Sequence, residues 1–170
     1  MDKKWFDRQF ALDSPRWMYP NVVERLRGTS ARANAIVSGV NKGVIARRDA
    51  DRWSIQENLG HLLDLEPLWT GRIDDILQGK ERLREADLTN RKTHEADHNA
   101  ATLSDLLSAF RDVRAAFVHR LEEMDESFIE QSAIHPRLEK PMRLLDLIFF
   151  VAEHDDHHLA QITRMKKLFD

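Results

Sequence analysis

The sequence predicts an all-α fold, a four-helix bundle. Three observations predict it. Four stretches carry apolar residues at helical spacing. Sustained alternating runs and Asn-Gly or Asp-Gly hairpin turns are missing, so strand signals are absent. The length, 170 residues with 42% hydrophobic and 32% charged content, fits one domain (residues 1–170) with a sizeable core.

The first helix carries Val23, Leu26, Ala33, Val37 and Val40, with Pro20 near a natural helix start, and Gly39 and Gly43 loosen the chain after it. The second opens at Trp53-Ser54-Ile55-Gln56-Glu57. Ser54 with Glu57 three residues later is a capping-box pattern, and Gly79 ends the helix. Its seam is Ile55, Leu59, Leu62, Trp69, Ile73 and Ile76. The third seam is Leu103, Leu106, Phe110, Val113, Phe117, Leu121 and Met124, and the fourth helix runs from about Met142 to the C-terminus. Residues 80–101 and 126–142 form two long connections, of the kind that cross a bundle end and build part of a site. The arm at residues 1–19 holds five aromatics and is expected to pack on the bundle.

Composition excludes several functions. A net charge of -3 asks for no nucleic-acid partner. The most apolar run, residues 144–152, is too short to span a bilayer, which takes about 20 residues. The charged N-terminus lacks the apolar stretch of a signal peptide, so a cytoplasmic location is expected. Cysteine is absent, which removes disulfides, thiolate ligands and a cysteine nucleophile.

The fourth helix carries the chemistry. Its core-facing positions are Leu144, Leu147, Val151, His154, His158, Gln161, Met165 and Leu168. Three polar residues interrupt this stripe, and an unpartnered buried polar group costs roughly 1–3 kcal/mol. His154 and His158 are one turn apart on one face, a spacing that lets two nitrogens reach one ion. Gln161, a turn further on, lines the same side. A metal needs a third ligand from another helix, and His61, at the edge of the second helix's apolar stripe, is the best candidate. Gly60 beside it opens room for a close approach. Glu57 is a candidate to orient His61, and Asp155 to orient the pair on the fourth helix. Imidazole binds a metal only when neutral, so affinity is expected to fall below about pH 6.

Two other metal patterns fail. His94-Glu95-Ala96-Asp97-His98 fits the zinc-protease motif H-E-x-x-H, but its flanks supply no apolar helix face. A di-iron carboxylate site needs inward glutamates and Glu-x-x-His pairs that this chain lacks. The remaining histidines read as bland: His119 is near an exposed face, His135 precedes Pro136 in a loop, and His157 is off the seam.

Trp53-Ser54-x-x-Glu57-x-x-x-His61-Leu62, with His154-x-x-His157-His158-x-x-Gln161-Ile162, resembles the DinB/YfiT-like superfamily. The stretch from Arg25 through Gly28 and Thr29 to Arg32 is similar to the first helix of the same group. The resemblance implies an up-down-down-up bundle with a long crossover between helices 2 and 3. It implies a three-histidine site for zinc or nickel, carried here by His61, His154 and His158, and a homodimer. It also implies chemistry on a small-molecule substrate, either hydrolysis or S-transfer from a low-molecular-weight thiol cosubstrate. Three protein ligands leave one position open, which suits catalysis; the alternative is a non-catalytic metal-binding stress-response bundle, its site closed by a fourth side chain such as Gln161, Glu57 or a loop histidine.

Overall fold

Local signals set where each helix begins and ends. A computed structural model describes residues 4–169; the first three residues of the arm, and Asp170, lie outside them. Pro20 stands in the first turn of α1 (Tyr19–Arg27). Gly28 passes the chain almost directly into α2 (Thr29–Val37), and the pair acts as the first bundle helix. A single turn, α3 (Lys42–Ile45), follows. The second bundle helix is α4 (Ile55–Leu77), whose start is a complete capping box between Ser54 and Glu57. Gly79 takes a positive φ of 66° just beyond its end. The crossover contains a short α5 (Arg91–Glu95) and leads to α6 (Leu103–Glu122). The last helix is α7 (Leu144–Phe169).

Cross-helix contacts fix the directions. Glu66 meets Arg114 and Asp74 meets Arg120, so α4 and α6 run parallel. Arg25 meets Glu153 and the Ile36 carbonyl meets Lys166, so α1–α2 runs parallel to α7. Asn58 faces His158 while Trp69 faces Phe150, so α4 and α7 are antiparallel. The order is up-down-down-up, and the crossover joins the two parallel neighbours.

Three features depart from expectation: Leu168, placed on the core face of the last helix, is 52% exposed, and the other two lie in the connection before α7 and on α6. The connection before α7 holds an antiparallel hairpin, β1 (Ser132–His135) and β2 (Lys140–Arg143), with Ala133 opposite Met142. Four-residue strands are too short to display alternation. The hairpin is completed by non-local bonds: Ile134 donates to the Glu81 carbonyl (2.8 Å) and accepts from Leu83 (3.0 Å). On α6, Val113 is exposed at 37% while Arg114 is buried. The seam turns by one residue because Arg114 has carboxylate partners on two other helices.

The apolar core is divided. One cluster joins α1, the later part of α4, the end of α6, the hairpin and the first half of α7. A second joins α2, α3, the start of α4 and the far part of α7. Between them lies a buried polar layer of Thr29, His61, Glu66, Arg114, His154, Asp155 and His158. Among the described residues no helix is long and apolar enough to cross a membrane.

Candidate metal centre

His154 and His158 stand one turn apart on α7, and α4, packed antiparallel, brings His61 to them. All three are buried. One ring nitrogen from each lies within 4.8 Å of the others, and His154 Nε2 is 3.2 Å from His158 Nε2. The ring centroids are 4.5, 4.7 and 5.3 Å apart. Nitrogens around a tetrahedral zinc, at about 2.0–2.1 Å from it, are about 3.4 Å apart, and the His154–His158 pair is close to that spacing.

Proton positions also fit a metal. His158 Nδ1 is 2.8 Å from Asn58 Oδ1, an acceptor, so Nδ1 carries the hydrogen and Nε2 presents its lone pair. Thr93 Oγ1 donates to Asp64 Oδ2 (2.9 Å) and so accepts from His61 Nδ1 (3.0 Å), which frees His61 Nε2 in the same way. His154 is held differently. Its Nδ1 is buried with no partner among the described residues. Its ring is held by packing, with Trp5 edge-on at 5.0 Å and Trp69 at 5.6 Å. Trp53 stacks on His158 at 6.0 Å.

Burial keeps these imidazoles neutral. Desolvation, then the neighbouring imidazoles, hold His154 and His158 well below the usual histidine range. Desolvation lowers His61 to about 4, against a smaller upward pull from Asp64.

The carboxylates proposed as orienting groups are engaged elsewhere. Glu57 receives Arg48 and closes its own cap through the Ser54 amide. Asp155 receives Arg114 and the Thr29 hydroxyl (2.9 Å). Asn58, and Thr93 backed by Asp64, take those roles instead. Asn58 and Asp64 flank His61 at i−3 and i+3, a spacing visible in the sequence. Thr93 comes from the crossover, and nothing local announces it. Gln161 lines the cavity with part of its surface exposed.

The H-E-x-x-H segment forms no single helix, since α5 ends at Glu95 and Asp97 has a positive φ of 45°. His98 instead bonds Asp64 (2.8 Å) and lies over Gly60, where a Cβ would come within 2.2 Å of its ring. The space opened by Gly60 is filled by this imidazole. His135, read from sequence as bland, is buried on β1.

The histidines form part of the wall of a cavity of about 530 Å³, within the range of small-molecule sites. The N-terminal arm closes one side: Trp5 and Phe10 pack on Phe150 at 5.1 and 4.8 Å.

Comparison with known proteins agrees with this architecture. The chain is similar in structure to YfiT from Bacillus subtilis, described as a probable metal-dependent hydrolase with an unusual four-helix bundle topology. The TM-score is 0.82 at 15% identity, over 95% of this chain and 93% of that one. At such identity the likeness concerns the fold. Among curated proteins none matches. The sequence profile of the DinB superfamily matches residues 25–162, a span that reaches into all four bundle helices and includes the three histidines: the chain belongs to the DinB superfamily.

Proposed function

We propose that this protein is a metal-dependent hydrolase of small molecules, with one divalent ion, zinc or nickel, held by His61, His154 and His158. One observation carries the reading: three neutral ring nitrogens converge on the wall of a cavity with room for a substrate. No carboxylate or further histidine joins the cluster among the described residues, so one coordination position is left for solvent or substrate. When bound, the ion supplies Lewis acidity and lowers the pKa of a water to about 7.

The chain's own residues prepare that position. Asn58 and the Thr93–Asp64 pair fix two imidazoles in the tautomer that leaves Nε2 free. Trp5 and Trp69 pack against the His154 ring, and Trp53 against those of His61 and His158. Gln161 offers an amide donor and acceptor at the cavity wall. The description of YfiT supports hydrolysis over S-transfer.

Turnover of a panel of small amides and esters, with and without stoichiometric zinc or nickel, tests this reading. Turnover that needs metal, is lost in His154→Ala and proceeds without added thiol is the expected result. Turnover only in the presence of a low-molecular-weight thiol would replace hydrolysis by S-transfer. A metal-loaded protein inert under both conditions would contradict catalysis and favour a non-catalytic metal-binding bundle.

A further inference from the structure

Beyond Trp69 and Phe150, the cavity that holds the three histidines has a second polar end. Arg72 on α4, His135 on β1 and Arg137 in the hairpin loop all line it. Arg72 is almost fully buried, at 2% exposure. Its Nε donates to the Arg84 carbonyl (3.2 Å) and its Nη1 points at His135 Nε2 (3.1 Å). Neither Arg72 nor Arg137 has an ion pair among the described residues. Asp75, whose charge acts on Arg72 in its favour, already receives Lys80 and Arg84. Arg137 Nη1 reaches only the Phe6 carbonyl, at 3.5 Å, and its Nη2 is buried without a partner. A buried guanidinium is ordinarily paired, because desolvating an uncompensated charge is costly.

His135 Nδ1 accepts from the backbone amides of Arg137 and Leu138, both at 3.2 Å. A neutral imidazole with Nδ1 so used carries its hydrogen on Nε2. That hydrogen then faces an Arg72 N–H, and two donors meet with no acceptor between them. Moving the hydrogen to Nδ1 sets it against two backbone N–H groups instead. Either tautomer leaves a donor–donor contact. Burial, with Arg72 and Arg137 beside it, lowers His135 to about 3, so it stays neutral; Arg72, lowered by burial to about 10, stays charged at neutral pH.

We propose that Arg72, Arg137 and His135 form an oxyanion subsite that holds the carboxylate or phosphate of the substrate while the rest of the molecule reaches the three histidines. The guanidinium fork suits either oxyanion. The distance suits a small molecule: one Trp69 ring spans it, 5.6 Å from the Arg72 guanidinium on one side and 5.6 Å from the His154 ring on the other. The cavity's own carboxylates do not occupy the subsite. Asp87 accepts from Thr89 and Arg91, and Asp51 and Glu85 stand exposed at the rim. The inference rests on the reading of this cavity as a substrate site, but not on the metal.

Calorimetric titration of the full chain, as purified and after chelation, with succinate, inorganic phosphate and neutral succinamide tests it. Saturable binding of succinate or phosphate in both states, without binding of succinamide, is expected. The stronger of the two anions names the substrate's group. Arg137→Gln, at a half-buried position, should weaken that binding about 10–100-fold, and Arg72→Gln, checked for folding by circular dichroism, at least as much. No saturable anion binding, equal binding of succinamide, or affinities unmoved in a folded variant would overturn the subsite. Metal content measured on the same samples separates the two readings. Anion binding by protein that holds no metal as purified and takes up none on reconstitution removes the metal centre alone, and metal without anion binding removes the subsite alone.

Discussion

At the residue scale, His61, His154 and His158 were visible because their positions on apolar helical stripes are a local property of the sequence. Their orienting partners were not. Glu57 and Asp155 neighbour the histidines along the helices, but Arg48 and Arg114, from other parts of the chain, claim both carboxylates. The pH response follows from burial. His61 drops to about 4 in the folded protein against about 6.5 in an unfolded chain. Between those values the unfolded state binds more protons, so stability rises with pH and is lost as pH falls. Each such histidine contributes a slope of about 1.4 kcal/mol per pH unit in that window. Denaturant midpoints of the metal-free protein should therefore fall from pH 6.5 toward 4, and His61→Gln should flatten the slope. A midpoint independent of pH there would contradict the burial. The same burial moves proton competition with a metal below the pH of about 6 that free imidazole implies.

At the scale of elements, α4 does the most to place the site. Its capping box fixes where the helix begins and hence the phase of Asn58, His61 and Asp64. Its first turns also hold the crossover: Gln56 donates to the carbonyls of His98 and Ala101, and Gly60 admits the His98 ring. Gly60→Ala should expel that ring from Asp64 and disturb the Thr93–His61 bond behind it. The expected cost is about 1–3 kcal/mol by urea denaturation, with weakened metal binding. A variant unchanged in both would show that the crossover is not the support of His61. This helix was legible because Ser54, Glu57 and Gly79 are local signals. The hairpin was not, since its pairing to residues 81–83 depends on chain 50 residues away. Nor was Arg114, which occupies a core position only because Glu66 and Asp155 wait for it.

At the scale of the whole molecule, the bundle is two apolar clusters separated by a polar layer, and the histidines are one side of that layer. The other side is the buried Glu66–Arg114–Asp155 group. It joins α4, α6 and α7, and Thr29 ties in α2. Removing its centre strands two carboxylates, so Arg114→Met should destabilise the fold by about 3–5 kcal/mol in denaturant titration. A loss below 1 kcal/mol would mean the layer does not hold the helices. The sequence alone reached the helix count, but the up-down-down-up order rested on family resemblance, because apolar periodicity carries no direction. The central claim is that the three histidines hold one metal ion. Elemental analysis of protein purified without chelator or nickel column, beside His158→Ala and a His154→Ala/His158→Ala double variant, tests it most directly. Near-stoichiometric zinc or nickel in the parent, lost in folded variants, is the predicted result. Metal absent from the parent even after reconstitution, or retained in the double variant, would contradict it.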